Sequence, residues 1–325
     1  MVDSFSRKRV TLLHMNEKER SYHTMTQSTQ DRWAQWLLQR RHGGDVEKLR
    51  VMLQSLSQIR DKVLKNARLA QNETLLDVGC GDGLIAFGAL PQVGEHGHIV
   101  FSDISQDLLG HCESLAQQMG VLDRCQFVCT PADDLSMIET NSIDAVTTRS
   151  VLIYVRAKQR AFQEFYHVLK PGGRLSIFEP INRFAYPEPP HIFSGYDVTP
   201  IMTITHKLLA VYERYQSCET DPMMDFDERD LIALAEKAGF AEVHLELQVE
   251  IIPGKFERDA DAQKPNWETF LKSSPNPLVP TTEEIMNEAL TDDEARQFTT
   301  HLRPLVEAKQ YVRRSALTYL WAVKH

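Results

Sequence analysis

At 325 residues the chain has room for one large domain, or for one domain carrying insertions. Its 42% hydrophobic and 25% charged residues are those of an ordinary globular protein, and a net charge of −9 argues against a general nucleic-acid surface. No window is apolar enough over a sufficient length to cross a membrane, and five cysteines without a C-x-x-C pair suit a reducing cytoplasm.

The first residues, Met1 to Arg20, carry a basic stretch without the apolar run of a signal peptide, and read as flexible or partly helical. From Thr29 to Ala70 the pattern is helical. Trp33, Trp36 and Leu37 form one apolar stripe, and Leu49, Leu53, Leu56, Ile59 and Val63 form another. His42-Gly43-Gly44-Asp45 separates the two, with Asp45 placed to cap the second helix.

The most informative stretch follows, Leu75-Leu76-Asp77-Val78-Gly79-Cys80-Gly81-Asp82-Gly83-Leu84. It reads as a buried strand, a glycine-rich turn and an apolar helix from Ile85 to Leu90. Glycines at alternate positions allow positive φ and a close approach of backbone to ligand. The turn points that ligand at the first amides of a helix, and Asp77 brings a carboxylate to the strand end. The spacing is G-x-G-x-G, not the G-x-G-x-x-G expected for a dinucleotide pyrophosphate. A ligand with an amine and a carboxylate suits it better than a diphosphate.

Three further segments come in order. Ile99 to Ser105 is an apolar strand ending in Asp103, about 20 residues after the turn, where such folds place the acid that accepts from ribose hydroxyls. Ser105 or Asp107 is available to cap the next helix in its stead. Cys125 to Leu135 reads as a third strand and loop, with Cys125 and Cys129 on one face. Ser142 to Leu152 is a fourth strand, and a helix to Leu169 leads into Lys170-Pro171-Gly172-Gly173-Arg174-Leu175, a helix stop, tight turn and fifth strand.

Together these segments resemble the class I S-adenosylmethionine-dependent methyltransferases. The resemblance implies an α/β, Rossmann-like fold with a mostly parallel sheet and a final antiparallel strand. It implies S-adenosyl-L-methionine as cofactor. Asp77, Gly79, Cys80, Gly81 and Gly83 would then surround the methionine part, Asp103 would hold the ribose, and Ile104, Ala132 and Asp133 would flank the adenine. Pro131 stands where family members often carry an Asp that accepts from the adenine amine, which leaves the ring to backbone amides near Ala132 and Asp133 or to the Asp133 carboxylate as a substitute. Arg149 resembles the Arg that follows the fourth strand in the ubiquinone and menaquinone methyltransferases, although Ser150 stands where Asn is usual. Arg149 or Ser150 would lie where donor meets acceptor.

Beyond Pro180 the sequence turns aromatic and proline-rich through Pro222, with Phe184, Tyr186, Phe193 and Tyr196 around His191. A helix is expected near Ile201 to Arg214, another from Asp227 to Gly239, and a strand from Ala241 to Ile252. A second irregular insertion, Pro253 to Pro280, leads into helices through Lys309, and Ala316 to Val323 suits the last strand. The expected organisation is an N-terminal helical cap over residues 1–70 and a cofactor-binding domain over 71–325, with insertions near 182–225 and 253–310.

The aromatic insertions suggest a covered pocket for a small, partly apolar acceptor, with a satellite core or a homodimer contact as the plainer alternative. His191, Arg149 and Tyr154 are the candidate catalytic residues, and His206, Tyr186, Tyr196 and Glu179 are further candidates for a general base. No metal-ligand spacing is evident. The atom methylated, O, N or C, stays open. A protein that holds the cofactor without turnover would share the same motifs, and the glycine spacing disfavours a nicotinamide oxidoreductase.

Overall fold

The computed structural model describes residues 30–256 and 266–325. The reading of Met1 to Arg20 and part of the second insertion lie outside the described residues. The chain opens with helix α1 (Arg32–Leu38), capped by the Asp31 carboxylate, which accepts from the amides of Trp33 and Ala34. A short 3-10 turn (Arg40–His42) and Gly43 in the left-handed region end it. Asp45 then caps α2 (Val46–Ala67) by accepting from Lys48 N, as its position at the break suggests.

The centre is β1 (Thr74–Val78), α3 (Leu84–Val93), β2 (His98–Asp103), α4 (Gln106–Gln118), β3 (Cys125–Cys129), β4 (Ile143–Arg149), α5 (Lys158–Val168) and β5 (Leu169–Pro180). After it come a small hairpin, β6 (Ile192–Phe193) with β7 (Tyr196–Asp197), and α6 (Met202–Tyr215). The order continues with α7 (Glu228–Ala238), β8 (Glu242–Pro253), α8 (Trp267–Lys272), α9 (Thr282–Ala289), α10 (Asp292–Glu307) and β9 (Val312–Val323). Seven strands form one sheet in the order β3-β2-β1-β4-β5-β9-β8. The first five are parallel, and β9 runs antiparallel between β5 and β8. This is the Rossmann-like sheet with a final antiparallel strand that the sequence implied.

Alternation of strand and helix forces the helices onto both faces of the sheet, since parallel neighbours need a crossover. One face buries Leu76, Val146, Leu175, Phe162, Phe165 and Leu231 beneath α5 and α7. The other buries Leu75, Ile99, Phe101, Val63, Leu64 and Ile85 beneath α2, α3 and α4. The strands are therefore apolar on both sides, and their polar ends gather the chemistry at the carboxyl edge.

The segments after Pro180 build a core of their own. Phe193, Tyr196, Leu208, Trp267, Phe298 and Leu302 pack together, with Phe193 2% and Tyr196 6% exposed. For Phe193 and Tyr196 the plainer alternative, a satellite core, holds in place of pocket lining, whereas Phe184 packs against the sheet core and Tyr186 is exposed. The second insertion is likewise less irregular than its composition suggests, because Asn266 caps α8 within it. Cys129 is exposed, not packed with Cys125 in the core, since β3 is an edge strand of the sheet.

Candidate functional site

The glycine turn carries three left-handed residues, Gly79 (φ 65°), Gly81 (φ 56°) and Gly83 (φ 81°). Gly83 ends the turn as the residue before α3, and its N–H donates to Cys80 O at 2.9 Å. At Gly79 an added Cβ would lie 2.3 Å from Val151 Cγ2, and at Gly81 it would lie 3.0 Å from Leu37 Cδ2. The turn is thus pressed from one side by the loop after β4 and from another by α1.

Asp77 is 1% exposed at the end of β1. Its carboxylate accepts from Ala86 N at 3.2 Å and Thr147 Oγ1 at 2.9 Å, so it ties β1 to the first turn of α3 and to β4. Burial pushes its pKa up to about 7, against those two hydrogen bonds and the Arg149 charge. Asp77 thereby shapes the turn from below.

Asp103 lies at the end of β2, largely buried, accepting from Gly81 N and from Ser105 N at 2.9 Å each. Burial raises its pKa despite those two bonds. Each oxygen keeps a lone pair directed away from the backbone. Ile104 beside it is 49% exposed, an apolar surface on an otherwise polar rim, and Ala132 is buried nearby in the loop after β3, which Thr130 N ties to Asp103 O at 3.0 Å. Asp133 is half-buried there.

Arg149 ends β4, half-buried, and Ser150 after it takes φ 56°, a conformation uncommon outside glycine. Its N–H is held by Phe178 O at 2.8 Å. The next three amides, Val151, Leu152 and Ile153, all donate to the Glu179 carboxylate, which is wholly buried. Burial lifts Glu179 to about 7, partly offset by those amides. Glu179, a candidate general base by sequence, is engaged by these three amides and holds the loop that carries Tyr154.

Tyr154 closes that loop, edge-on to Trp33 of α1 with ring centroids 4.9 Å apart. Burial drives its phenol pKa far upward, so it stays protonated and serves as a hydrogen-bond donor. His191 is elsewhere, exposed on the β6 hairpin beside Asp197, and His206 is exposed on α6. Of the three catalytic candidates, Arg149 and Tyr154 lie on β4 and the loop after it, within electrostatic reach of each other, and His191 is on a separate hairpin.

Sequence reasoning missed the contribution of α1. Asp31 accepts from Ser105 Oγ at 2.6 Å, Leu37 covers Gly81, and Arg41 lies within electrostatic reach of Arg149, Asp82 and Tyr154. Burial and the neighbouring Arg149 lower the Arg41 pKa to about 10. The only trace in the sequence was the short run Arg40-Arg41. Asp82, within the turn, has a buried Oδ1 without a hydrogen-bond partner.

Open glycine turn, acid at the next strand end and apolar ledge beyond it define a class I methyltransferase fold. The model of the ubiE/COQ5 methyltransferase family matches residues 49–252. The chain belongs to that family. The ubiquinone/menaquinone biosynthesis C-methyltransferase UbiE of Brucella abortus is 33% identical over 173 residues, 52% of this chain and 62% of that protein. Its counterpart in Escherichia fergusonii is 30% identical over 176 residues, 53% of this chain and 68% of that protein. The chain thus spans about three fifths of the length of the Brucella relative. Among solved structures, the YcgJ protein of Bacillus subtilis aligns over 82% of this chain and 97% of its own, with a TM-score of 0.50 and 16% identity, a likeness of fold.

Proposed function

We propose that this chain transfers a methyl group from S-adenosylmethionine to a small, partly apolar organic acceptor. The observation that carries the reading is the carboxyl edge of β1 and β2. A turn of three left-handed glycines includes Asp82, whose buried Oδ1 has no hydrogen-bond partner, and Asp103 holds the turn with lone pairs to spare. Those features fit the cofactor. Asp77, Gly79, Cys80, Gly81 and Gly83 with Asp82 would surround the methionine end, the glycines letting the backbone come close, Asp103 would hold the ribose, and Ile104, Ala132 and Asp133 would flank the adenine.

When bound, the cofactor supplies a methyl on a sulfonium, whose leaving group is a neutral thioether. The protein's work is then alignment and exclusion of water. Arg149 and Ser150, fixed by the strained backbone at Ser150, would meet the acceptor. Tyr154, kept protonated, would orient it by donating a hydrogen bond. Trp33 and Leu37 of α1 would cover the turn. The names of the relatives favour carbon as the atom methylated. Five free cysteines suit a reducing compartment such as the cytoplasm, and no helix among the described residues is long and apolar enough to cross a membrane.

Calorimetric titration of cofactor-free protein with S-adenosylhomocysteine tests the proposal. Micromolar binding is expected, with none for NAD. Stabilisation by the dinucleotide alone would overturn it.

A further inference from the structure

Strand β8 is one edge of the main sheet, and among the described residues it pairs only with β9. It runs for 12 residues, about twice the usual strand length, and its register with β9 is unbroken from Glu242 to Pro253. Such an edge presents a row of unpaired N–H and C=O groups. Folded proteins ordinarily blunt it with a short strand, a bulge, a proline or a lysine. β8 has no bulge and no lysine, and its one proline is its last residue.

The two faces of β8 differ. Val243 and Leu245 pack on the sheet core beneath α7. The same row continues past that helix as Leu247, Val249 and Ile251, which are 40%, 48% and 53% exposed. A run of apolar side chains along an open sheet edge is the kind of surface that a partner covers. The opposite face carries Glu242, His244, Glu246, Gln248 and Glu250. Its acids are met within the chain: Glu242 lies 2.9 Å from His244, Glu246 2.5 Å from Lys62 and Glu250 3.1 Å from Arg313. The glutamates are therefore not a bare row of charge that would repel any incoming strand.

Their spacing selects a register. Directly opposite residues of an antiparallel pair share a face. A two-fold axis through the sheet thus sets even-numbered residues of β8 against even and odd against odd. The glutamates fall at every fourth position, so an axis at any even residue from Glu242 to Glu250 sets acid against acid. An axis at an odd residue never does. Placed at Leu247, it gives the longest overlap, from Glu242 to Ile252. Glu250 then faces His244 and Glu246 faces Gln248. On the apolar face Leu247 meets its own copy, Val249 meets Leu245 and Ile251 meets Val243, so each exposed member of the row gains an apolar neighbour. An unrelated strand would satisfy the backbone equally well, but the acid spacing fits this strand's own sequence.

We infer that β8 docks on β8 of a second copy of this chain, antiparallel about a two-fold axis at Leu247. The two sheets then continue as one, the edge amides and carbonyls find partners, and Leu247, Val249 and Ile251 leave water.

Sedimentation velocity of the full chain over a dilution series tests the assembly, and cross-linking tests the register. The chain should sediment as a dimer at micromolar concentration. Val249→Lys, at an exposed position, should weaken the dimer about tenfold or more and leave the circular dichroism of the fold unchanged. Gln248→Glu, which sets an acid opposite Glu246, should weaken it more at low salt than at high salt. For the register, the exposed Cys129 and Cys218 are first replaced by Ser. In that background Leu247→Cys should form an intermolecular disulfide on oxidation, since opposite residues stand about 4.5–5.5 Å apart between Cα atoms. Ile251→Cys, which faces Val243, should not. The wild-type mass needs no variant, so a folding defect in any of them does not obscure it. A monomer at every concentration overturns the inference, whether the β8 amides exchange freely or are protected by another segment of this chain. So does a dimer that Val249→Lys leaves equally tight, because the interface then lies elsewhere. Cross-linking through Ile251 as readily as through Leu247 overturns the register and with it the two-fold pairing.

Discussion

Ser105 Oγ donates a 2.6 Å hydrogen bond to Asp31 Oδ2, joining the start of α1 to the end of β2. Both partners have second duties. Ser105 caps α4 by accepting from Leu108 N, and its own N–H binds Asp103, which in turn holds Gly81. Asp31 caps α1, and its N–H binds Asp107. A polar relay thus runs from the covering helix to the glycine turn.

Ser105→Ala removes the link and a helix cap at once. A loss of about 1–2 kcal/mol in stability is expected, the range for losing one N-cap. The local signature is sharper: amide exchange should quicken across 32–38 and 106–109 and stay unchanged in β4 and β5. Uniform exchange across α1 in wild type and variant would show that the relay does not hold the helix.

Asp103→Asn addresses the proposed ribose contact. Asparagine keeps the shape but loses the charge and one acceptor, so S-adenosylhomocysteine affinity should fall by roughly 1–3 kcal/mol. That is about fivefold to 150-fold in a titration. Unchanged affinity would remove Asp103 from ribose binding and leave it the turn-holding role that its bonds to Gly81 and Ser105 already show.

The parallel core was legible in the sequence because local signals and tertiary demands agree there. Asp77 and Asp103 lie at strand ends, the alternating glycines follow β1, and the Lys170-Pro171-Gly172-Gly173 run lies in β5 between Leu169 and Arg174, which both pair with β4. The covering helix was less so. The stripe Trp33, Trp36 and Leu37 said that α1 buries one face, but not against what. Its partners lie far along the chain, Gly81 for Leu37 and Tyr154 for Trp33. Glu179 was equally opaque. An acid at a strand end looks like a base until the three amides of Val151 to Ile153 are seen to converge on it. Composition likewise could not separate aromatics lining a pocket from Phe193 and Tyr196 filling a second core.

Two buried acids set a pH dependence. Asp77 rises from 3.8 to about 7 and Glu179 from 4.5 to about 7, burial being the main cause for both. Between those limits the folded state binds more protons than the unfolded one. Stability therefore falls as pH rises through the window and levels off above it, each group contributing a slope of up to ~1.4 kcal/mol per pH unit. Urea unfolding at pH 5, 6, 7 and 8 should show Glu179→Gln losing less stability across the series than wild type. Parallel curves for the two proteins would place the Glu179 titration outside this range.

Gly79 tests how tightly the loop after β4 presses on the turn. Alanine there meets two separate obstacles. Its Cβ would fall 2.3 Å from Val151 Cγ2, and the backbone would keep φ at 65°. The left-handed conformation alone costs about 1–2 kcal/mol for a non-glycine residue. The clash adds to it, because Val151 N is bonded to Glu179 at 2.8 Å and the loop has little freedom to retreat. Gly79→Ala should therefore lower the melting temperature and weaken S-adenosylhomocysteine binding together. Truncating the obstructing side chain separates the terms. Gly79→Ala combined with Val151→Ala should recover the steric share and retain the backbone share, so the double variant should be more stable than Gly79→Ala yet below Val151→Ala. A double variant no more stable than Gly79→Ala would assign the whole cost to backbone conformation and free Val151 from any part in positioning the turn.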